Sequence, residues 1–222
     1  EINSSDSIKY LKNLSADLFV VVAYGQILSQ ALLDIPKIFS INIHASLLPK
    51  YRGAAPINWA IINGEKSTGV TVIKLVRKMD AGSMLLQKEI PITEIDDSVS
   101  LEDKLRKLGA ELLIDALKSI ENKTYKLTVQ DEKKVVLAPK LKKNDGYIDW
   151  NKPAAQINNL VKGCLPWPGA FTHYKGKLLK IYKTEMGARV SGLTGYRVGE
   201  ILSIHKDGLE LMAGDGPLLI KE

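Results

Sequence analysis

Residues 41–57 read Ile-Asn-Ile-His-Ala-Ser-Leu-Leu-Pro-Lys-Tyr-Arg-Gly-Ala-Ala-Pro-Ile, and no other segment says as much about the architecture. The segment opens as an apolar run, which is typical of a buried strand, and residues two apart on a strand point to the same side. We therefore expect Asn42 and His44 to present an amide and an imidazole together at a strand end. Fixed side chains that donate to a developing negative charge are what acyl-transfer chemistry needs.

Strands and helices alternate around this segment. Four apolar runs predict strands: Leu18–Tyr24, Ile38–Ile43, Gly69–Val76 and Met84–Ile92. A leucine stripe after a capping-box-like start at Ser100 predicts a helix to about Ile120. The alternation predicts an open, mostly parallel, Rossmann-like α/β domain over residues 1–123, whose working residues collect at the carboxyl ends of the strands.

The composition changes after residue 123. Residues 124–142 are lysine-rich and poor in apolar side chains, which predicts a basic linker. Residues 143–222 carry short apolar runs separated by glycines, which predicts a small β-barrel. Since residues 124–222 hold 16 Lys and Arg against 10 Asp and Glu, a net charge of +6, the second part is expected to meet an anionic partner. A solvated lysine-rich surface is the alternative reading of the same charges.

Several function classes are disfavoured by what the chain contains. A single cysteine and three scattered histidines make a disulfide framework or a zinc site improbable, so no metal is expected. No apolar stretch reaches the length of a membrane span, so no membrane association is expected. The apolar strand so near the first residue predicts that earlier strands of the sheet are missing.

Asp80 is a third candidate for the site, because it lies in the turn Met79-Asp80-Ala81-Gly82 just after a predicted strand. It could approach the end of the neighbouring strand, although aspartate is also common as a plain turn former. The backbone at Tyr24-Gly25 is a candidate for approaching a flat ligand at a strand end, and a plain turn is the alternative. Four basic residues are candidates for contacting phosphates: Arg52, Lys140, Lys142 and Lys143.

The run from Asn42 to Ile57, together with Asp80-Ala81-Gly82, resembles the signature of the folate-dependent formyltransferases. Three further segments are similar to the methionyl-tRNA branch of that superfamily: Val22-Ala-Tyr-Gly25, Ala138-Pro-Lys-Leu-Lys142 with Asp145-Gly-Tyr-Ile-Asp-Trp150, and Pro166-Trp-Pro-Gly169. The resemblance implies that Asn42, His44 and Asp80 are the catalytic trio. It also implies that Ser46, Leu47, Leu48 and Pro49, with Tyr24, Gly25 and Gln26, hold the folate. The resemblance further implies that residues 143–222 form a barrel of oligonucleotide-binding type that helps to hold tRNA. Ser83 stands where many members carry a second acid.

The implied reaction moves a formyl group from 10-formyltetrahydrofolate, the donor substrate, to the α-amine of methionine on initiator tRNA. The alternatives are a formyltransferase acting on a UDP-linked amino sugar, a formyltetrahydrofolate hydrolase, and a non-enzymatic nucleic-acid-binding module. Ala54 and Ala55, where the sugar enzymes usually carry an arginine, and the basic second part favour tRNA. The resemblance further implies a cytoplasmic, bacterial protein, with a mitochondrial or plastid matrix as the less favoured location, and the protein is expected to be a monomer. The amino-terminal strands with the tRNA-reading loop and the carboxyl end of the family are not in this sequence, so a fragment that is inactive alone is expected.

Overall fold

The computed structural model describes residues 1–187 and 195–222, which divide between two compact units. The first unit comprises Glu1–Pro56, Ser67–Pro91 and Asp103–Lys140, and the second comprises Ile57–Lys66, Ile92–Glu102 and Leu141–Glu222. The predicted barrel range includes residues 188–194, which lie outside the described residues.

The first unit is built on a four-stranded sheet with the order β1-β2-β3-β4. Its strands are β1 (Leu18–Val21), β2 (Phe39–His44), β3 (Ser67–Lys74) and β4 (Met84–Pro91). Two short helices, α1 (Ser5–Asn13) and α2 (Gln30–Leu33), lie before β2 in the chain. The mixture of helices and sheet confirms the predicted α/β class.

The directions of the strands differ from the prediction. β1 and β2 are parallel, with Val21 opposite Asn42, but β2 pairs antiparallel with β3, and β3 pairs antiparallel with β4. The predicted mostly parallel sheet is therefore wrong for the described residues. An apolar run indicates that a strand is buried, but its direction is set by the connections, and residues 75–83 join β3 to β4 as a hairpin loop.

The first strand is also shorter and less covered than predicted. It ends at Val21, and the side chains of Val20 and Val22 are exposed. The sheet core comes instead from the next strands, where Ile41, Val72 and Ile73 have no exposed surface.

The long helix that the sequence predicts from Ser100 is α4 (Ser98–Glu121), which begins two residues before Ser100. A shorter helix, α3 (Pro56–Ile62), precedes it in the chain. The Ser100 amide donates to Asp97 Oδ1 at 2.8 Å and the Asp97 amide donates to Ser100 Oγ at 3.0 Å. Asp97, and not Ser100, is therefore the N-cap of α4. Gly109 allows α4 to approach the sheet, since a Cβ there would lie 3.3 Å from Ile43 Cγ2.

Among its described residues, the second unit contains α3 from Ile57 onward, the start of α4, α5 (Ala154–Gly163) and six strands. The strands are β5 (Ala170–Tyr174), β6 (Lys177–Ile181), β7 (Thr184–Met186), β8 (Ile201–His205), β9 (Gly208–Met212) and β10 (Pro217–Ile220). Its core includes Ile148, Ile157, Val161, Ile181 and Leu218, which come from α5, β6, β10 and the segment before α5.

Within the described residues the six strands form two sheets and do not close into a barrel. One sheet has the order β7-β10-β9-β8, and the other is the hairpin of β5 and β6. No helix among the residues described is both long and apolar enough to cross a membrane.

The segment predicted as a basic linker, residues 124–142, belongs to the first unit as far as Lys140. The backbones of Thr128 and Met84 exchange hydrogen bonds of 2.8 and 2.9 Å, and the Ala138 amide donates to the Arg52 carbonyl at 2.7 Å. These bonds hold the segment against the start of β4 and against the loop that follows β2, so it is part of the unit that carries the candidate site.

Candidate functional site

The end of β2 carries both of the polar residues that the sequence singled out. Asn42 and His44 are two apart on this strand, and Asn42 is opposite Val21 of the parallel strand β1. Because parallel strands end at the same edge of a sheet, the residues after β1 reach the same edge as Asn42 and His44. His44 is opposite Thr71 on β3, so the strand pairing fixes its position from both sides.

His44 is buried and both of its ring nitrogens have neighbours. Its Nε2 lies 2.8 Å from the Tyr51 carbonyl oxygen, which can only accept, so Nε2 carries a proton and donates it there. Its Nδ1 lies 3.7 Å from Asp80 Oδ2. The side chains of His44 and Asp80 are only 6% and 13% exposed, so water screens their interaction little. The predicted approach of Asp80 to the strand end is confirmed by this distance.

Hydrogen bonds hold both the carboxylate and the backbone carbonyl of Asp80. The Gly53 amide donates to Asp80 Oδ2 at 2.9 Å, and Gln130 Nε2 donates to the carbonyls of Asp80 at 2.7 Å and Gly82 at 2.8 Å. Asp80 itself has a φ of 49°, the left-handed region that aspartate tolerates better than most residues. These hydrogen bonds fix the conformation of the turn, in which the Asp80 carboxylate faces His44.

Asn42 differs from His44 in having an amide that is not engaged. It is half-buried, and within the part of the chain that is described its side chain has no hydrogen-bond partner. A half-buried amide usually pairs with a neighbour, because an unmade hydrogen bond is costly. Its Nδ2 is therefore available to donate to a bound molecule at the strand end.

The loop Ser46–Pro49 is fixed by two polar side chains that the sequence analysis missed. Thr71 Oγ1 donates to the Ser46 carbonyl at 2.6 Å and accepts from the Leu48 amide at 3.2 Å, while Gln87 Nε2 donates to the Leu48 carbonyl at 3.0 Å. The signal that could have found Thr71 is a hydroxyl inside the apolar run of β3. Ser46 and Leu48 are buried, so the loop can offer a ligand mainly its backbone and the half-buried Leu47 and Pro49.

The segment Tyr24-Gly25-Gln26 follows β1 at the same edge of the sheet. All three residues are exposed. Gly25 has a φ of +74°, and a Cβ added there would meet nothing within 4 Å. The space beside this backbone is open, as a site for a flat ligand requires.

The predicted contact of Arg52 with phosphates is contradicted by its burial. Arg52 is only 4% exposed; its Nε donates to Gln130 Oε1 at 2.9 Å and its Nη2 donates to Glu132 Oε1 at 2.8 Å. Hydrogen bonds from Arg52 and then Lys78 lower the pKa of Glu132 from 4.5 to about 2. Arg52 therefore acts inside the first unit, where it fixes the same Gln130 that holds the Asp80 turn.

The other basic candidates remain accessible. Lys140, Lys142 and Lys143 are exposed. Lys140 ends the first unit, while Lys142 and Lys143 lie in the second unit at the 3₁₀ turn Lys143–Gly146. Exposed lysines are compatible with phosphate contacts but do not by themselves identify a ligand.

Among the residues that the structure describes, the remaining reactive groups do not form a competing site. Cys164 is buried, and burial raises the pKa of its thiol to about 12, so it is not a thiolate nucleophile near neutral pH. Over the described ranges, no three His, Cys, Asp or Glu side chains are grouped so as to hold a metal ion.

Comparisons with known proteins agree on one family. A model described as "Formyl transferase" matches residues 2–117, and one described as "Formyl transferase, C-terminal domain" matches residues 140–222. A methionyl-tRNA formyltransferase of Citrifermentans bemidjiense is 46% identical over 222 residues, which is 100% of this chain and 68% of that protein. One from Caldanaerobacter subterraneus is 45% identical over 220 residues, 99% of this chain and 70% of that protein.

Solved structures show the same fold at lower identity. HypX from Aquifex aeolicus has a TM-score of 0.74 at 21% identity, covering 99% of this chain and 39% of that chain. An N-formyltransferase from Helicobacter canadensis, solved with folinic acid and dTDP-3-aminofucose, has a TM-score of 0.68 at 20% identity, covering 88% of this chain and 70% of that chain.

Proposed function

Because this chain belongs to the formyl transferase family, and within it to the methionyl-tRNA formyltransferases, we propose that Asn42, His44 and Asp80 form its reaction centre. Methionyl-tRNA formyltransferases transfer a formyl group from 10-formyltetrahydrofolate to the α-amino group of methionine on initiator tRNA. The observation that carries the proposal is the buried His44–Asp80 pair at 3.7 Å, two residues along β2 from an amide with a free donor.

The reaction needs a donor for an oxyanion and a path for a proton. The amine nitrogen attacks the formyl carbon, a new C–N bond forms, and the carbonyl oxygen takes the negative charge. Asn42 Nδ2 donates to that oxygen, which is the role that fixed amides play in acyl transfer. When the bond from the formyl carbon to the folate nitrogen breaks, the proton released by the amine passes to that nitrogen, and we assign Asp80 to relay it.

His44 is oriented for this reaction by the bond from its Nε2 to the Tyr51 carbonyl. That bond leaves Nδ1 as the nitrogen that faces Asp80 and the strand end. A protonated His44 donates from Nδ1, where the carboxylate of Asp80 offsets its charge. The predicted oxyanion role of the imidazole is therefore assigned to Nδ1.

We assign folate binding to the two backbone segments at the same edge of the sheet, Tyr24–Gln26 and Ser46–Pro49. The exposed Tyr24 ring offers a flat apolar face, and the Ser46–Pro49 loop offers backbone groups held rigid by Thr71 and Gln87. Rigid supports of this kind let a site bind a ligand without ordering the chain first.

Recognition of tRNA is assigned to the basic second part of the chain, with Lys140, Lys142 and Lys143 as its accessible contacts. We keep an oligonucleotide-binding barrel as the proposal for residues 143–222. A monomeric state and a cytoplasmic location also stay predictions from the sequence.

The alternative acceptor is an amino sugar, because sugar N-formyltransferases are among the proteins with the same fold. Their identities of 20–23% show the fold alone, whereas identities of 40–46% over nearly the whole chain join it to methionyl-tRNA formyltransferases. The higher sequence identity to the methionyl-tRNA formyltransferases favours tRNA over an amino sugar as the acceptor.

An assay with alternative acceptors, each offered separately, tests the assignment. The natural protein that carries this chain is given 10-formyltetrahydrofolate with methionyl-tRNA, a nucleotide-linked amino sugar or water alone as acceptor. We expect formylation of methionyl-tRNA only, and His44→Ala to lower its rate by roughly 10²–10³. Release of formate with no formylated product would identify a hydrolase instead, and near-normal activity of His44→Ala would remove this residue from the reaction.

A further inference from the structure

Three aromatic rings lie close together in the second unit, which does not include Asn42 and His44. The Tyr147 ring centroid lies 5.7 Å from that of Phe171 and 6.4 Å from that of His173, and the latter two are 6.1 Å apart. The Tyr147 side chain follows the turn Lys143–Gly146 and is 53% exposed. The ring is thus supported by its neighbours while part of its surface remains open to solvent.

Tyr147 also lines a cleft of about 550 Å³. Other residues that line it are Asp149, Lys152, Gln156 and Asn159. Hydrogen bonds from Asn151 lower the pKa of Asp149, so the cleft offers a carboxylate acceptor beside amides that both donate and accept. An aromatic surface next to amide and carboxylate groups matches a nucleobase, which has a flat face and a hydrogen-bonding edge.

The hairpin beside the rings is strongly basic. Residues 170–183 contain four lysines and no Asp or Glu: Lys175, Lys177, Lys180 and Lys183. Lys180 is opposite Phe171 in the strand pairing, so the two side chains are on the same face of the hairpin. An aromatic cluster with a basic flank is complementary to a polyanion that carries flat groups, which is the chemistry of single-stranded nucleic acid.

We propose that the cleft beside Tyr147 binds an unpaired base of the RNA substrate, which stacks on the Tyr147 ring while the hairpin lysines contact neighbouring phosphates. The proposal rests on the proposed function in that the acceptor is a tRNA. It adds a second contact with that substrate, formed wholly by residues of the second unit. This contact recognises an unstacked base as well as the phosphate charge.

The test compares variants of the natural protein in their binding to uncharged initiator tRNA. Tyr147→Ala removes the ring and is expected to weaken binding about 5- to 150-fold, while Tyr147→Phe keeps the stacking surface and is expected to bind like the wild type. Tyr10→Ala removes a tyrosine of the first unit that is also more than half exposed and serves as the matched control. Urea denaturation of each variant confirms that it folds.

Two further measurements separate stacking from charge. Tyr147→Ala is expected to leave the salt dependence of binding unchanged, whereas Lys180→Gln is expected to reduce its slope by about one counterion. A single-stranded oligoribonucleotide should respond to Tyr147→Ala, and a duplex of the same length should not. Gln156→Ala, in an exposed position of the cleft, should weaken binding of the single strand as well.

The outcomes also distinguish this inference from the proposed function. If folded Tyr147→Ala binds tRNA as tightly as the wild type, the stacking site is refuted even when formylation is normal. If the wild type fails to formylate methionyl-tRNA but its RNA binding still depends on Tyr147, the stacking site stands and the acceptor assignment is refuted.

Discussion

Replacing Asp80 by asparagine separates the charge of this side chain from its hydrogen bond. An asparagine oxygen can still accept from the Gly53 amide, so the turn keeps its anchor while the negative charge beside His44 is lost. At the observed 3.7 Å, a full ion pair in a site with an effective dielectric constant of about 20 is worth about 4 kcal/mol. Since 1.4 kcal/mol is a factor of ten, the charge accounts for at most about 10³ in rate.

We therefore expect Asp80→Asn to lower kcat/KM for methionyl-tRNA about 10²- to 10³-fold, with little change in the free energy of unfolding. The assay is formylation kinetics in parallel with urea denaturation. Asp17→Asn is the matched control, because Asp17 pairs with Lys37 at the shorter distance of 2.9 Å but both side chains are more than half exposed, so its loss should change nothing. A fall of less than about threefold, or a fall that only follows unfolding, would refute the electrostatic role of Asp80.

Two other predictions concern the supports of the site. A Cβ at Gly53, where φ is +128°, would overlap the Ala138 carbonyl, so Gly53→Ala should destabilise the protein by about 3–5 kcal/mol in urea denaturation. Gly176→Ala, with φ of +76° and open space, should cost only about 1–2 kcal/mol, and equal costs would contradict the overlap. The pKa of Glu132 is lowered from 4.5 to about 2, so its stabilising effect is present above 4.5 and is lost as the pH falls through about 2. The stability difference between the wild type and Glu132→Gln should therefore shrink over that pH range, and a constant difference would contradict the role of its bonds with Arg52 and Lys78.

The candidate site could be located from the sequence because each of its residues stands out from its immediate neighbours. Asn42 and His44 are polar residues in an apolar strand, and Asp80 lies in a glycine turn just after a strand. The structure brings His44 and Asp80 together as expected. The direction of β3 could not be predicted, since the apolar pattern of a strand is the same whichever way it runs.

Arg52 shows that neighbouring sequence alone does not reveal contacts with residues that are distant along the chain. An arginine beside glycine and alanine residues before a helix looks like an anion contact. Its actual partners, Gln130 and Glu132, are 78 and 80 residues further along the chain, and nothing in the sequence around Arg52 points to them. Gln130 was missed for the same reason, although its side chain bonds to Arg52 and to two carbonyls of the Asp80 turn.

The position of Gln130 bears on how this protein can be divided for study. A boundary drawn at residue 123, where the composition changes, would detach the amide that fixes the Asp80 turn and the backbone of Ala138 that pairs with Arg52. The piece that remained would keep Asn42, His44 and Asp80 in its sequence and lose part of what holds Asp80 in position. A shortened protein intended to keep this site should extend at least to Lys140, where the first unit ends.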